Sequence, residues 1–138
     1  MQLRYLNELE NIGDVIDKNL VELVLKKIKL GVEFSQEGWQ ELDEIYGKVM
    51  ENMLIADTVF TTRDRALAGQ LLKNKERLNH HERDLRDKHF ARLREGLSES
   101  HETSAIHLDF LTHLKRVNSC VSHVAYAIVQ NEKSTSVA

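Results

Sequence analysis

The chain has 138 residues, enough for one domain, of which 41% are hydrophobic and 30% are charged. It contains no proline and only six glycines, too few turn residues for a β-sandwich or β-barrel. The net charge of −3 argues against nucleic-acid binding, and the single cysteine, Cys120, excludes an internal disulfide. No apolar stretch approaches the roughly 20 residues of a membrane span, and early acidic residues interrupt any signal-peptide core. Composition therefore predicts a soluble, cytosolic, all-α domain.

Charge is unevenly distributed along the chain. Residues 1–60 hold 6 Lys and Arg against 12 Asp and Glu, whereas residues 61–95 hold 10 against 6. Segments of opposite charge in a small domain usually pack side by side and complement each other. We expect that arrangement here, with an anion-binding basic face on residues 61–95 as the alternative.

The first segment has the apolar spacing of a helix. Its apolar residues recur at intervals of three and four, which places them on one helical face. Lys26, Lys27 and Lys29 suit the negative end of the helix dipole, and Gly31 follows them as a C-cap. The residues of this face are Leu3, Leu6, Leu9, Ile12, Ile16, Leu20, Leu23 and Val24.

Three further helices follow, each bounded by capping residues. The start signals are Ser35 for the second helix, Thr61 or Thr62 with Asp64 for the third, and Ser98 or Ser100 for the last. Gly96 ends the third helix. The predicted elements are therefore four long helices separated by short connections.

Connections this short force neighbouring helices to run antiparallel, which predicts an up-down-up-down bundle of four long helices. A single helix kinked near Thr61 is the alternative for the second and third. We expect the bundle to span residues 1–131 and a disordered tail to span 132–138. Because the helical pattern starts at Leu3 without a cap, we expect this bundle to be part of a larger domain.

The first and last helices resemble each other when the chain is shifted by 105 residues. Apolar residues then fall on apolar residues, and an aromatic falls on an aromatic, which predicts a structural repeat. The matched pairs are Leu3 with Leu108, Tyr5 with Phe110, Leu6 with Leu111, Leu9 with Leu114, Ile12 with Val117, Ile16 with Val121, and Leu23 with Ile128.

Glu10 and Asp14 form the one candidate site that the spacing supports. They are four residues apart, so both carboxylates lie on one side of the first helix, where like charges repel unless a cation intervenes. Gly13 between them weakens the helix and leaves room for a close approach to its backbone. The functional interpretation is a site for iron or another divalent cation with oxygen ligands. The structural alternative pairs this acidic edge with the basic third helix.

Other classes of chemistry have little support in the sequence. It has no glycine-rich phosphate loop, no nucleophile elbow and no Glu-x-x-His pair of the ferritin-like di-iron type. Its seven histidines lack helical metal-ligand spacing, so we expect them to lie at the surface or to be satisfied within the fold. We therefore expect the protein not to be an enzyme.

The segment from Leu9 to Asp14, Leu-Glu-Asn-Ile-Gly-Asp, resembles the signature of the PhoU family of phosphate-uptake regulators. That signature has an acidic residue, three residues and then Asp, and is commonly written Leu-Glu-Arg-Ile-Gly-Asp. The family's longer acidic motif corresponds to residues 75–82, and a second copy of the short motif to residues 114–119. The resemblance covers residues 3–130 and implies repeats of three-helix bundles.

The resemblance also implies a divalent-metal or iron site, for which only Glu10 and Asp14 keep the ligand types. Other family acids are replaced, and the residues that stand in their places are Lys75, Asn79, Lys115 and Ser119. Two lysines at such positions disfavour a cation in the second half of the chain. We predict instead that Lys75 and Lys115 are internal counter-charges for nearby acids such as Glu82 or Asp109.

Among PhoU-like proteins, the chain most resembles the cytoplasmic C-terminal region of bacterial sodium/phosphate cotransporter-family proteins. This implies a non-enzymatic regulatory or interaction domain in phosphate transport, held at the membrane by an attached transporter domain. The expected partner is that transporter domain or another protein, and a homodimer is a further expectation. Such a domain should bind its partner through an exposed apolar groove. The alternative is a metal-sensing or metal-storing bundle that uses Glu10 and Asp14.

Overall fold

The computed structural model describes residues 2–96 and 101–135, with side chains over 4–96 and 103–130. Its helices are α1 (Gln2–Asp14), a π-helical segment (Val15–Leu20), α2 (Val21–Leu30), α3 (Gln36–Thr62), α4 (Arg65–Arg94) and α5 (His101–Thr135). Because α1, the π-helical segment and α2 follow one another without a break, they form one rod, here called the N-terminal helix. The described residues contain no strand, so the predicted all-α class with four long helices is confirmed.

The predicted helix boundaries are set by local capping. The Ser35 hydroxyl accepts a hydrogen bond from the Gly38 amide at 3.0 Å, and the Asp64 carboxylate accepts one from the Leu67 amide at 3.1 Å. Gly31 ends α2 in the left-handed conformation, with φ of 65°. Arg63 ends α3 with φ of 57°, so the alternative of one kinked helix through this region is wrong. The predicted start of the last helix at Ser98 or Ser100 lies outside the described residues.

Helices α3, α4 and α5 pack against one another as a three-helix bundle, and the N-terminal helix packs on the outside, against α5. Contacts between residues near the helix ends show in which direction each helix runs. Glu41 near the start of α3 meets Arg92 near the end of α4, and it also meets His107 near the start of α5. Helix α4 is therefore antiparallel to α3 and α5, and Glu8 opposite His123 makes the N-terminal helix antiparallel to α5 as well. The up-down-up-down order is confirmed.

The core lies between α3, α4 and α5, whose fully buried residues include Ile45, Leu71, Leu78, Leu85, Ile106 and Leu111. The N-terminal helix contributes fewer buried residues, namely Ile12, Val15 and Leu23. Half of its predicted apolar face is exposed, and Leu6 is 59% exposed. The reason is geometric, since a helix that rests on one neighbour buries a narrower stripe than a helix inside a bundle.

The proposed repeat agrees with the burial pattern in part. Ile12 and its counterpart Val117 are both buried, but Ile16 is exposed whereas Val121 is buried. Ile16 lies in the π-helical segment, where the wider turn changes the angle between successive side chains and turns Val15 inward instead. A common origin of the two helices stays a prediction.

The C-terminal end of α5 extends beyond the predicted bundle boundary. The helix continues to Thr135, so residues 132–135, expected to belong to a disordered tail, are helical. No proline or glycine follows Ile128, and an established helix continues until a breaker or the chain end stops it. Residues 136–138 lie outside the described part of the chain.

Candidate functional site

Glu10 and Asp14 lie on the exposed side of α1, just before the π-helical segment. The Asp14 carboxylate is 3.7 Å from the ammonium of Lys18, so its counter-charge comes from the next helical turn and not from α4. A Cβ atom added at Gly13 would meet no heavy atom within 4 Å, so nothing in the described chain approaches this backbone closely. Among the described residues no His, Cys, Asp and Glu side chains form a group of three able to hold a metal. Metal binding here stays a prediction.

The counter-charge predicted for Lys115 is present. Its ammonium is 3.9 Å from the carboxylate of Glu82, which is buried between α4 and α5 with a 4% exposed side chain. Lys75 differs from the prediction, because it donates to the Tyr126 hydroxyl at 3.2 Å and its ammonium lies 5.0 Å from that ring. A cation over an aromatic face is stabilised without a carboxylate, which explains a lysine at this position.

Arg86, which the sequence analysis did not single out, is the closer partner of Glu82. Its guanidinium donates two hydrogen bonds to one Glu82 oxygen, at 2.9 and 2.7 Å. It also reaches α5, where it donates to the Thr112 hydroxyl at 2.8 Å. Because a buried carboxylate without a partner is costly, this arginine both neutralises Glu82 and ties α4 to α5.

A buried amide network links three helices at the middle of the bundle. Asn52 on α3 donates to Asn118 on α5 at 2.8 Å and accepts from Asn74 on α4 at 3.2 Å. Asn52 and Asn118 are 4% and 0% exposed, so the hydrogen bonds replace water that both side chains have lost. Such a polar layer fixes the register of the three helices, because sliding one of them would leave buried amides unpaired.

Two histidines are stacked at the end of the bundle where α4 stops. The rings of His89 and His107 have centroids 4.7 Å apart and planes 14° apart, and both side chains are buried. Glu41 lies 3.5 Å from His107 and receives two hydrogen bonds from Arg92, at 2.6 and 3.0 Å. Both histidines lie in the interior, where the Nε2 atom of each lacks a hydrogen-bond partner among the described residues, so the expectation that buried histidines are satisfied is not met here.

Burial is the main influence on the acidity of this pair. The pKa of His107 is lowered to about 4, first by burial and then by the neighbouring His89, with Glu41 opposing the shift. The pKa of His89 is lowered by burial and then by the Arg92 guanidinium. Both rings are therefore neutral at pH 7, which allows them to stack without charge repulsion.

A contact between a carboxylate and another histidine joins α1 to α5. The Glu8 carboxylate lies 2.8 Å from Nδ1 of His123. Burial and the Glu8 carboxylate raise the pKa of the nearby Cys120 thiol. Cys120 is therefore held as a thiol and not as a reactive thiolate at neutral pH.

An apolar groove of about 390 Å³ lies between α2 and α3, with α5 as its floor. Its lining consists of Leu20, Val24, Lys27, Ile28, Phe34, Trp39, Leu42, Asp43, Tyr46, Phe110 and Leu114. Phe34 closes one end and packs edge-on against Trp39, with ring centroids 5.2 Å apart. The Lys27 ammonium lies 5.4 Å from the Phe34 ring and 5.7 Å from the Trp39 ring. The predicted exposed apolar groove is present.

Comparison with known proteins connects the chain to phosphate transport. It is 34% identical over 122 residues to a Salmonella typhimurium protein named "Putative inorganic phosphate export protein YjbB". Proteins with the same name from Escherichia coli O157:H7 and Escherichia coli K12 are each 31% identical over 122 residues. The chain is similar to a phosphate-export protein.

The similarity covers very different shares of the two proteins. The aligned residues make up 88% of this chain but 22% of each of these relatives, so the chain spans about a fifth of their length. No protein-family model matches the chain, and no solved structure matches it. Within the described residues, no helix combines the length and the apolar character needed to cross a membrane.

Removing Arg86 should cost far more stability than removing Lys115. We expect Arg86→Ala to lower the free energy of unfolding by about 3 kcal/mol, because the buried Glu82 carboxylate is then left with only the more distant Lys115 as counter-charge. Lys115→Ala should cost about 0.5–1 kcal/mol, since this lysine is 39% exposed and more distant. Urea denaturation followed by circular dichroism measures both. Equal losses of stability would contradict the conclusion that Arg86 is the more important partner of Glu82. No loss for Lys115→Ala would mean that Lys115 is not a counter-charge of Glu82.

Stability should fall as the pH drops from about 6.5 to about 4. The folded-state pKa of His107 lies below its ordinary value of 6.5, so the unfolded chain binds more protons in this window. Between these pH values, the free energy of unfolding should fall by about 2 kcal/mol less in His107→Gln than in the wild type. The measurement is urea unfolding at several pH values, with His80→Gln on the exposed surface as the control. A parallel pH dependence in wild type and His107→Gln would contradict the assignment.

Proposed function

We propose that the chain is a non-enzymatic regulatory and interaction domain of phosphate transport, acting at the cytoplasmic side of a sodium-dependent phosphate transporter. The main support is the 34% identity, over 88% of the chain, to a relative whose name describes phosphate export. The PhoU-like motif from Leu9 to Asp14 supports the same process from the sequence side. The apolar groove supports an interaction role, because large exposed apolar surfaces serve as binding sites.

A domain that regulates a transporter needs a surface on which a partner can bind and be released, and we assign that role to the groove. Its walls belong to two helices that are joined by residues 31–35 and that rest separately on α5. A partner bound between α2 and α3 would therefore contact both helices at once. The polar contacts elsewhere in the bundle are internal, as with Arg86 and Glu82, and stabilise the fold without needing a ligand.

Deleting residues 1–138 in the native cell should change phosphate flux. We expect the rate of radiolabelled phosphate release or uptake to change at least twofold, because the transporter loses a regulatory contact. The double substitution Val24→Glu with Ile28→Glu should reproduce the change, since it puts charge into the groove. Leu25→Glu is the matched control, because Leu25 is 59% exposed on the same helix but does not line the groove.

Two outcomes separate the parts of this proposal. An unchanged flux after the deletion would contradict a role in phosphate transport. A changed flux that persists when choline replaces sodium in the medium would contradict sodium dependence while leaving the regulatory role in place.

The second candidate function is a divalent-metal or iron site at Glu10 and Asp14. In its favour, both side chains are exposed and the space above Gly13 is open, so a cation has access. Elemental analysis of the purified protein and of Glu10→Ala with Asp14→Ala tests it. We expect stoichiometric metal in the wild type and none in the variant, and absence of metal from the wild type would contradict the candidate.

A further inference from the structure

The groove between α2 and α3 continues into a long exposed stripe. Trp39, Tyr46, Met50 and Leu54 are spaced by seven, four and four residues, which places them on one side of α3. Their exposed fractions are 51%, 52%, 39% and 70%. At about 1.5 Å per residue, this stripe is roughly 22 Å long, about the length of a helix of four turns.

The opposite wall of the groove is apolar as well. Val24 and Ile28 on α2 are 44% and 69% exposed, although both side chains line the groove. Scattered apolar side chains at a surface need no explanation, but a concave set on two facing helices is typical of an interface. The surface defined by α2, α3 and the α5 floor is here called the α2–α3 face.

The groove is lined by one charged group of each sign. Lys27 lies on the α2 wall and Asp43 on the α3 wall. The other acidic residues at the start of α3 lie on its α4 side, where Glu37 and Glu41 contact Arg92.

We propose that the α2–α3 face binds the same face of a second copy of this chain. A two-fold axis through the groove brings Lys27 of each copy opposite Asp43 of the other. A groove lined by charges of one sign would repel its own copy, whereas a groove with one basic and one acidic group on opposite walls is complementary to itself. The apolar stripe on α3 is then covered by α2 of the other copy.

This arrangement also accounts for the position of Lys27. Its side chain is 15% exposed, and its ammonium lies 3.6 Å from Glu33 as well as near the Phe34 and Trp39 rings. The ammonium is therefore held at the edge of the groove in a defined place and does not extend into solvent. A charge fixed in advance loses less conformational freedom when a partner binds.

The oligomeric state of the purified chain tests the inference. Light scattering after size-exclusion chromatography should show a dimer at tens of micromolar, and Ile28→Glu should raise the dissociation constant at least tenfold. Leu25→Glu, a control of similar exposure that does not line the groove, should leave the constant within twofold of the wild type. Circular dichroism verifies that each variant is folded. A monomeric wild type, or a dimer indifferent to Ile28→Glu, would overturn the proposal.

A charge exchange tests the predicted pairing across the axis. Lys27→Glu and Asp43→Lys should each weaken self-association, because each places like charges opposite one another. An equimolar mixture of the two variants should form heterodimers at least tenfold more tightly than either variant alone associates, since both contacts are then restored. A mixture no tighter than the separate variants would overturn the two-fold arrangement.

Another occupant would give a different result. If the wild type is monomeric but binds the apolar dye anilinonaphthalene sulfonate, and Ile28→Glu loses that binding, the groove belongs to a different molecule and the second copy is excluded. The dimer goes beyond the proposed function, and an experiment can contradict one of them without contradicting the other. A monomeric chain whose deletion still changes phosphate flux would refute the dimer alone.

Discussion

Helix α5 is the element on which the rest of the structure depends, because it packs against α3, α4 and the N-terminal helix. It must therefore bury residues on more than one side, and its buried positions range from Ile106 and Leu111 to Val124 and Ile128. Most of the polar contacts between helices also involve α5, through His107, Asn118 and Thr112. Packing of this kind makes the three-helix bundle the stable unit and leaves the N-terminal helix attached along one side.

The apolar groove follows from that asymmetry. A helix that rests mainly on one neighbour keeps part of its apolar face exposed, and here two of its exposed residues, Val24 and Ile28, line the groove together with Trp39 and Tyr46 of α3. The polar contacts lie elsewhere, in the amide layer around Asn118 and the ion pair of Glu82 with Arg86, and they fix how the bundle packs. The residues that stabilise the bundle are therefore different from those that line the groove, so a partner bound in the groove would not disturb the interior.

Local sequence signals were sufficient for the starts of α3 and α4, since caps such as Ser35 and Asp64 act over three residues. They were less informative about contacts between helices. The Lys115 pairing was predicted because a lysine stands where the PhoU resemblance implies an acid, but Lys75, predicted on the same ground, contacts Tyr126 instead. The ion pair of Glu82 with Arg86 has a spacing signal, since the two residues are four apart on α4. The contact of Arg86 with Thr112 and the stacking of His89 on His107 have none, because each joins positions at least 18 residues apart and depends on burial that only packing creates.

The sequence by itself determined the class of the fold, the number and order of the helices and their antiparallel course, because periodicity, caps and short connections act locally. The PhoU-like motif from Leu9 to Asp14 predicted an association with phosphate transport, and the chain is similar to proteins whose name describes phosphate export. Only the tertiary structure decided which apolar residues are buried and which line the groove. An amphipathic pattern shows that a helix has an apolar face, but the width of the face that is covered depends on how many neighbours the helix meets. For the N-terminal helix that neighbour is chiefly α5, and Leu20, Val24 and Ile28 of this helix line one wall of the groove.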